Sequence, residues 1–263
     1  MKKNSLSVVL ATFNEEENIF RCLDSIKEIA SEIVIVDGTS KDKTVEIAKS
    51  FGAKVTITDN PPNFHINKQK AINKATGEWI LQLDADEVVS QEMKKEIMSI
   101  LSGEVVENGF WMPRKNFFLG RFLMKGGQYP DYTVRLYRRG KGHLPQQDVH
   151  EQAVIVGKVG YLKEALLHYP YKNFNSYYKK WMRYNSLLAV QISDEMEGKN
   201  LILKLYYALA YLIAKPGHWI VTSYGRHKGF MDGWQGFVFA GMSALRFAVA
   251  YLLYLKKLNE KKG

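Results

Sequence analysis

Cysteine is almost absent from this chain. Cys22 stands alone among 263 residues, so an internal disulfide is impossible, nothing suggests a structural zinc site, and its place in a helical pattern marks it as a core residue. Also missing is a glycine-rich turn after the first strand-like segment. The residues there are Thr12-Phe13-Asn14-Glu15-Glu16, without a glycine, which argues against the Gly-x-Gly-x-x-Gly dinucleotide site of a dehydrogenase. Internal repeats and low-complexity linkers are absent as well. Long uninterrupted apolar runs are scarce. Leu205 to Ala214 is apolar for ten residues before Lys215-Pro216-Gly217, whereas a spanning helix needs roughly 20. Phe237 to Leu255 is longer, but Arg246 lies inside it and Lys256-Lys257 follow; a central arginine costs about 2.5 to 3.5 kcal/mol on insertion. This favours a helix lying on a membrane or packed into protein over one that crosses. Met1-Lys2-Lys3-Asn4 leads into about six apolar residues, too few for a secretory signal, so a cytoplasmic location is expected.

Acidic residues are the minority: 27 against 37 Lys and Arg, for a net charge of +10 and a pI near 9.4. The basic excess lies beyond residue 110, interleaved with Tyr, Phe and Trp. Nucleic acid, an anionic membrane surface or an acidic substrate would each match it. The run Tyr177-Tyr178-Lys179-Lys180-Trp181-Met182-Arg183 has the aromatic and basic mix that stacks nucleotides. Its helical spacing, however, puts Tyr177, Trp181, Tyr184 and Leu188 on one face as core, and no nucleic-acid partner is expected.

Residues 5 to 101 alternate β-branched runs with helical patterns. Strands are expected at Leu6 to Ala11, Ile33 to Val36, Val55 to Thr58 and Trp79 to Leu83, and helices at Glu16 to Ile29, Lys43 to Ser50, His65 to Ala75 and Gln91 to Leu101. That is the rhythm of a parallel α/β sheet. After Gly109 the strands Phe110 to Met112, Thr133 to Tyr137 and Gln152 to Val156 imply mixed or antiparallel pairing. From Phe174 the chain reads helical, over Tyr177 to Met196, Leu201 to Ala214 and Gly236 to Leu255. The expected organisation is an α/β domain over 1–172, in two halves at 1–103 and 104–172, then a basic, helical, membrane-associating region over 173–263.

Asp84-Ala85-Asp86 follows the apolar run Trp79 to Leu83, and Asp37 ends Ile33 to Val36, so two strands deliver carboxylates to one sheet edge. In open α/β sheets the carboxyl edge binds ligands, and paired aspartates suit a hard divalent cation. Asp37 beside Gly38 also fits a simple Asx turn. The alternation of Val134 and Leu136 expects Arg135 to point away from both.

Thr12-Phe13-Asn14-Glu15-Glu16, Val36-Asp37-Gly38-Thr39-Ser40 and Gly77-Glu78-Trp79 leading to Leu83-Asp84-Ala85-Asp86-Glu87 together resemble the family 2 glycosyltransferases, inverting enzymes of the GT-A fold. Val134-Arg135-Leu136-Tyr137-Arg138-Arg139, Val149-His150-Glu151, His168-Tyr169-Pro170-Tyr171 and the run Gly229 to Phe237 extend the likeness to the lipopolysaccharide core β-glucosyltransferase branch. The resemblance implies a UDP-sugar donor, Mg²⁺ or Mn²⁺, and a lipid-linked or lipopolysaccharide-core acceptor at an anionic membrane surface, peripheral to the inner face of the cytoplasmic membrane. It implies a catalytic domain over 1–172 with a nucleotide-binding half at 1–103 and an acceptor half at 104–172, Thr12, Asn14, Glu15 and Asp37 around base and ribose, Asp84 at ribose or a metal-bound water, Ala85 in the nucleotide-sugar site, Asp86 as metal ligand with Asp84 beside it, and Lys70 and Arg135 at the diphosphate. His150 and His168 are possible further metal ligands, and Glu151 is the expected base with Asp148 its competitor. No Gln-x-x-Arg-Trp follows, which argues against processive polymer synthesis. Alternatives are transfer to polyprenyl phosphate, or a non-catalytic sugar-nucleotide-binding or nucleic-acid-binding protein.

Overall fold

The computed structural model describes residues 4–146 and 152–260. Twelve strands run in chain order among them: β1 (Leu6–Thr12), β2 (Glu32–Asp37), β3 (Lys54–Ile57), β4 (Trp79–Gln82), β5 (Glu87–Val89), β6 (Gly109–Phe118), β7 (Arg121–Leu123), β8 (Asp131–Arg138), β9 (Gly142–His143), β10 (Val154–Ile155), β11 (Val159–Tyr161) and β12 (Leu166–His168). Helices α1 (Ile19–Ile26), α2 (Thr44–Ser50), α3 (His65–Lys74) and α4 (Gln91–Ser102) alternate with the early strands. The chain divides into two units. One comprises 1–115 with 131–168, the other 116–130 with 169–263.

In the first unit β3, β2, β1 and β4 are parallel neighbours in that order; β8 continues the sheet antiparallel to β4, and β6 follows antiparallel to β8. Alternation of apolar residues along the strands fills both faces. Leu6, Val8 and Leu10 pack with Cys22, Ile26, Trp79 and Leu81 on one side, while Val9, Val34 and Val36 pack with Ala71 and Ile80 on the other. Each such side chain, taken wholly out of water, contributes about 1.5–3 kcal/mol. Because β2 and β4 flank β1 on opposite sides, the strand order reverses there, and in open α/β sheets the carboxyl ends of the strands at such a point are where ligands bind.

The opposite, amino-terminal edge is closed by Glu32. Its carboxylate accepts from Ser7 Oγ at 2.5 Å, Thr76 N at 2.5 Å and Thr76 Oγ1 at 2.8 Å, and Lys54 Nζ lies 2.8 Å away. Burial would raise this carboxyl, but the bonds from Lys54, Ser7 and Thr76 outweigh it and hold it at about 2.

The second unit contains α5 (Phe174–Met196), opened by a capping box in which Asn173 and Ser176 satisfy each other's amides. Next comes α6 (Leu201–Leu209), capped by the Asn200 side chain on Leu203 N. The sequence pattern expects this helix to stop at Ala214, yet it continues. A π-helical turn over Ala210–Ala214, then α7 (Lys215–Trp219) and a second π segment over Ile220–Arg226 carry it past Pro216. Proline has no N–H and crowds the preceding turn; the wider π turn, in which Lys215 N bonds Ala210 O, accommodates it. The closing helix α8 (Gly233–Glu260) packs against α5 and α7, and Ala189, Ile192, Tyr211, Ala250, Tyr251 and Tyr254 form the shared core.

The run Gly229 to Phe237 is a structural joint here. Asp232, buried, accepts from Met124 N at 3.0 Å and Lys125 N at 2.7 Å, tying residues 121–125 to the start of α8. A Cβ on Gly236 would collide with Gly229 O, so only glycine fits that approach. Trp181 donates from Nε1 to Met242 O at 2.9 Å and Tyr177 is buried, as their helical spacing implies, whereas Tyr184 is exposed.

Candidate active site

Thr12 ends β1 and Asp37 ends β2, and the parallel register places them side by side. Asp37 is fully buried. Its Oδ2 accepts from Thr12 Oγ1 at 2.7 Å and Ser40 Oγ at 2.6 Å, and its Oδ1 from Ser40 N at 2.7 Å, so the Asx-turn geometry is present at this position. The loops that follow are laced together. Asn14, at φ 55°, donates its amide to Ser40 Oγ and accepts from Lys41 N, both at 2.8 Å, and Glu15 N donates to Thr44 Oγ1 at 2.7 Å. Burial pushes the Glu15 carboxyl up, and the charges of Asp86 and Asp84 add to that shift against the bond from Asn18.

The turn after β4 closes on itself: Glu87 N donates to Asp84 O at 3.0 Å and Asp84 N to Glu87 Oε2 at 2.9 Å. Around it gathers a cluster of alternating charge. Asp84 pairs with Lys68 and, at 2.5 Å, with Arg135; Glu87, fully buried, receives Arg135 at 2.9 Å and Arg114 at 3.3 Å; Arg114 also holds Asp131 at 2.7 Å. Burial alone would raise the Asp84 carboxyl, but Arg135 and Lys68 hold it well below the ordinary range. Lys68, itself buried, is lowered by its desolvation and lies 4.6 Å from the Phe64 ring centroid.

Arg135 reaches this cluster by a device that alternation does not foresee. The register pairs Phe110 with Leu136 and Trp111 with Val134, leaving Arg135 as the extra residue of a β-bulge. Val134 and Leu136 therefore enter different core clusters instead of sharing a face. Bulges re-aim side chains in this manner. The Nε of Arg135 is buried without a hydrogen-bond partner among the described residues.

Asp86 is partly exposed and engages a different partner. Antiparallel pairing of β5 with β12 sets Glu87 opposite His168, and His168 Nε2 lies 3.3 Å from Asp86 Oδ2. Lys70 stands apart from the cluster, bonding Thr58 Oγ1 at 3.2 Å and facing Asp59 at 3.6 Å. Lys68, Glu87 and Arg114 were not singled out from the sequence. Lys68 has a usable signal, since it falls four residues after Phe64 at the inner face of α3. Asp148, His150 and Glu151 lie outside the described residues. A separate recess of about 370 Å³, lined by Gln69, Asn73, Arg139, Lys141 and His143, shares none of these site residues.

Residues 7–152 match the model of Glycosyl transferase family 2. The chain belongs to this family. As a family 2 glycosyltransferase it is 28% identical to an uncharacterized glycosyltransferase of Rickettsia typhi over 99% of its own length and 88% of the relative's. It is 27% identical to the lipopolysaccharide core biosynthesis glycosyltransferase LpsC of Rhizobium meliloti, over 93% of this chain and 92% of LpsC. A mannosyltransferase of Pyrobaculum calidifontis, solved with GDP-Man and Mn²⁺, superposes with a TM-score of 0.50 at 14% identity, covering 97% of this glycosyltransferase and 88% of that chain. The α/β GT-A architecture with a helical C-terminal region is thus the observed fold, and the likeness to the lipopolysaccharide core branch holds along nearly the whole chain.

Proposed function

We propose that this glycosyltransferase moves a hexose from a UDP-sugar to a lipid-linked or lipopolysaccharide-core acceptor, with inversion, in a single displacement that depends on a divalent cation. The observation that carries this reading is the pairing of Asp86 with His168 at 3.3 Å beside the Asp84 cluster. The donor set fits the ion. One carboxylate and one imidazole suit Mn²⁺, and Mg²⁺ is commonly held by one or two protein groups with the substrate phosphates supplying the rest. Among the described residues no group of three or more His, Cys, Asp or Glu is arranged to hold a metal ion by itself, so the proposed cation needs substrate and water to complete its shell. When bound, the cation would offset the charge that develops on the diphosphate as the glycosidic bond breaks.

The protein's own groups divide the remaining work. Thr12, Asn14, Glu15 and Asp37 line the base and ribose side, and Asp84 and Ala85 the ribose. Arg135 and Lys68 keep Asp84 ionised and hold positive charge near the diphosphate. Glu151 takes the acceptor proton, with Asp148 as the competing base, and lipid linkage of the acceptor keeps the protein peripheral to the membrane. The name of LpsC supports the acceptor class, and the Pyrobaculum enzyme's GDP-Man and Mn²⁺ support the donor and cation classes.

Calorimetry with UDP, with and without Mn²⁺, tests the cation. Binding is expected to weaken at least about tenfold on chelation, and Asp86→Ala to remove most of that dependence; equal affinity in both conditions would remove the metal assignment. Glu151→Gln should keep UDP binding and lose transfer by about 100-fold or more, with Asp148→Asn milder. The reverse order would make Asp148 the base.

A further inference from the structure

The sequence points to Phe237–Leu255 as the part that meets lipid, but α8 turns one face, with Ala240, Ala244, Ala250 and Tyr254 buried, against α5 and α7, and leaves Phe237, Leu245 and Leu252 exposed on the other. The more continuous apolar surface without a partner lies one element earlier, on α6, none of whose residues is buried. On α6 and its π-helical extension, Ile202 is 78% exposed, Leu205 58%, Leu209 61% and Ile213 65%, and Val221 further along is 68% exposed. Positions 202, 205, 209 and 213 recur at three- and four-residue spacing, so they form one outward stripe. A soluble helix normally turns such a stripe inward, and here Tyr211 alone of the π turn Ala210–Ala214 is buried. Leaving this much contiguous apolar surface in water marks an interaction site.

Charge identifies the occupant. Between Glu197 and Asp232 the chain carries Lys199, Lys204, Lys215, Arg226 and Lys228 and no aspartate or glutamate. A protein partner would meet an apolar core rimmed by mixed charge, whereas uniform positive charge around an apolar stripe complements anionic headgroups over hydrocarbon. Tyr206, 66% exposed, and Trp219, 38% exposed, add aromatic rings with polar edges of the kind that sit at the lipid–water boundary. We propose that the helical run Leu201–Arg226 lies flat in an anionic membrane surface through the Ile202–Ile213 stripe and is the membrane anchor of the protein. The proposal rests on the lipid-linked-acceptor reading for its purpose, and on the exposed stripe and its charge for its position.

The test uses the full chain and sedimentation with vesicles of phosphatidylcholine alone or mixed with phosphatidylglycerol. The wild type should sediment with the mixed vesicles at low salt, largely ignore phosphatidylcholine, and be partly released by salt as its charge is screened. The triple variant Ile202→Glu, Leu209→Glu, Ile213→Glu, all at exposed positions, should lose at least about tenfold in binding. Lys204→Gln with Lys215→Gln should reduce the preference for the anionic lipid. Release by Leu245→Glu with Leu252→Glu on α8, with the triple variant still bound, would overturn the proposal in favour of α8. A wild type that ignores anionic vesicles and elutes as a dimer dissociated by the triple variant would make the stripe a contact between copies. Resistance to alkaline carbonate extraction would mean a crossing helix. Mn²⁺-dependent UDP binding, measured on the same preparations, separates the two readings: its loss in the wild type counts against the proposed chemistry alone, and its retention in the triple variant shows the nucleotide unit intact.

Discussion

The two units handle charge and apolar surface in opposite ways. In the first, Leu, Ile and Val are buried on both faces of the sheet, and Lys68, Glu87 and Arg135, buried with them, are ion-paired, Lys68 and Arg135 to half-buried Asp84 and Glu87 to Arg135. In the second, the core is a narrow seam of Ala, Ile and Tyr between helices, while leucines and isoleucines of α6 face outward amid unopposed lysines. Buried charge is tolerated only where partners are held in place, and exposed apolar surface persists only where another phase receives it. The proposed nucleotide-sugar site falls in the first unit and the proposed membrane contact in the second.

The largest expected effect comes from breaking the paired cluster. Arg135→Met leaves fully buried Glu87 with Arg114 alone and Asp84 with Lys68 alone, and should cost about 3–5 kcal/mol in urea unfolding of the full chain. A loss below about 1 kcal/mol would mean that water reaches the cluster and the pairing is not what holds it.

A smaller effect is expected at the far edge of the same sheet. Glu32→Gln should cost about 1–3 kcal/mol at neutral pH, the scale of hydrogen bonds to a charged group. The sign of its pH dependence follows from a folded pKa of about 2 against an ordinary 4.5. The stabilisation is fully present above about 4.5 and is lost as pH falls from there toward 2, because the unfolded chain takes up the proton first. Acid titrations of wild type and Glu32→Gln should converge in that window; parallel curves would show that Glu32 keeps its ordinary pKa.

The smallest effect should be in the second unit. Ile202→Ser, at 78% exposure, should change stability by no more than about 0.5 kcal/mol, against about 1–3 kcal/mol for a buried isoleucine. A core-sized loss would erase the contrast between the units and make α6 part of a packed interface.

Residue pattern by itself determined the alternating strands and helices of the first hundred residues, because period-2 and period-3.6 burial are written locally. It also placed Asp37 at the close of β2 and Asp84 and Asp86 just past β4, at the same carboxyl edge, because a charged residue after an apolar run marks where the run stops. The tertiary structure decided what local pattern cannot carry. Arg135 joins Asp84 only through a bulge set by pairing with β6, Lys68 pairs with Asp84 because the orientation of α3 on the sheet selects its face, and His168 meets Asp86 because two strands far apart in the chain pair antiparallel. The same limit holds at the C-terminal helices. Composition marks both Leu205–Ala214 and Phe237–Leu255 as apolar, but how much of each finds a packing partner depends on neighbours that only the folded chain supplies. Continuation of the first through Pro216 depended on a π turn that no residue type signals.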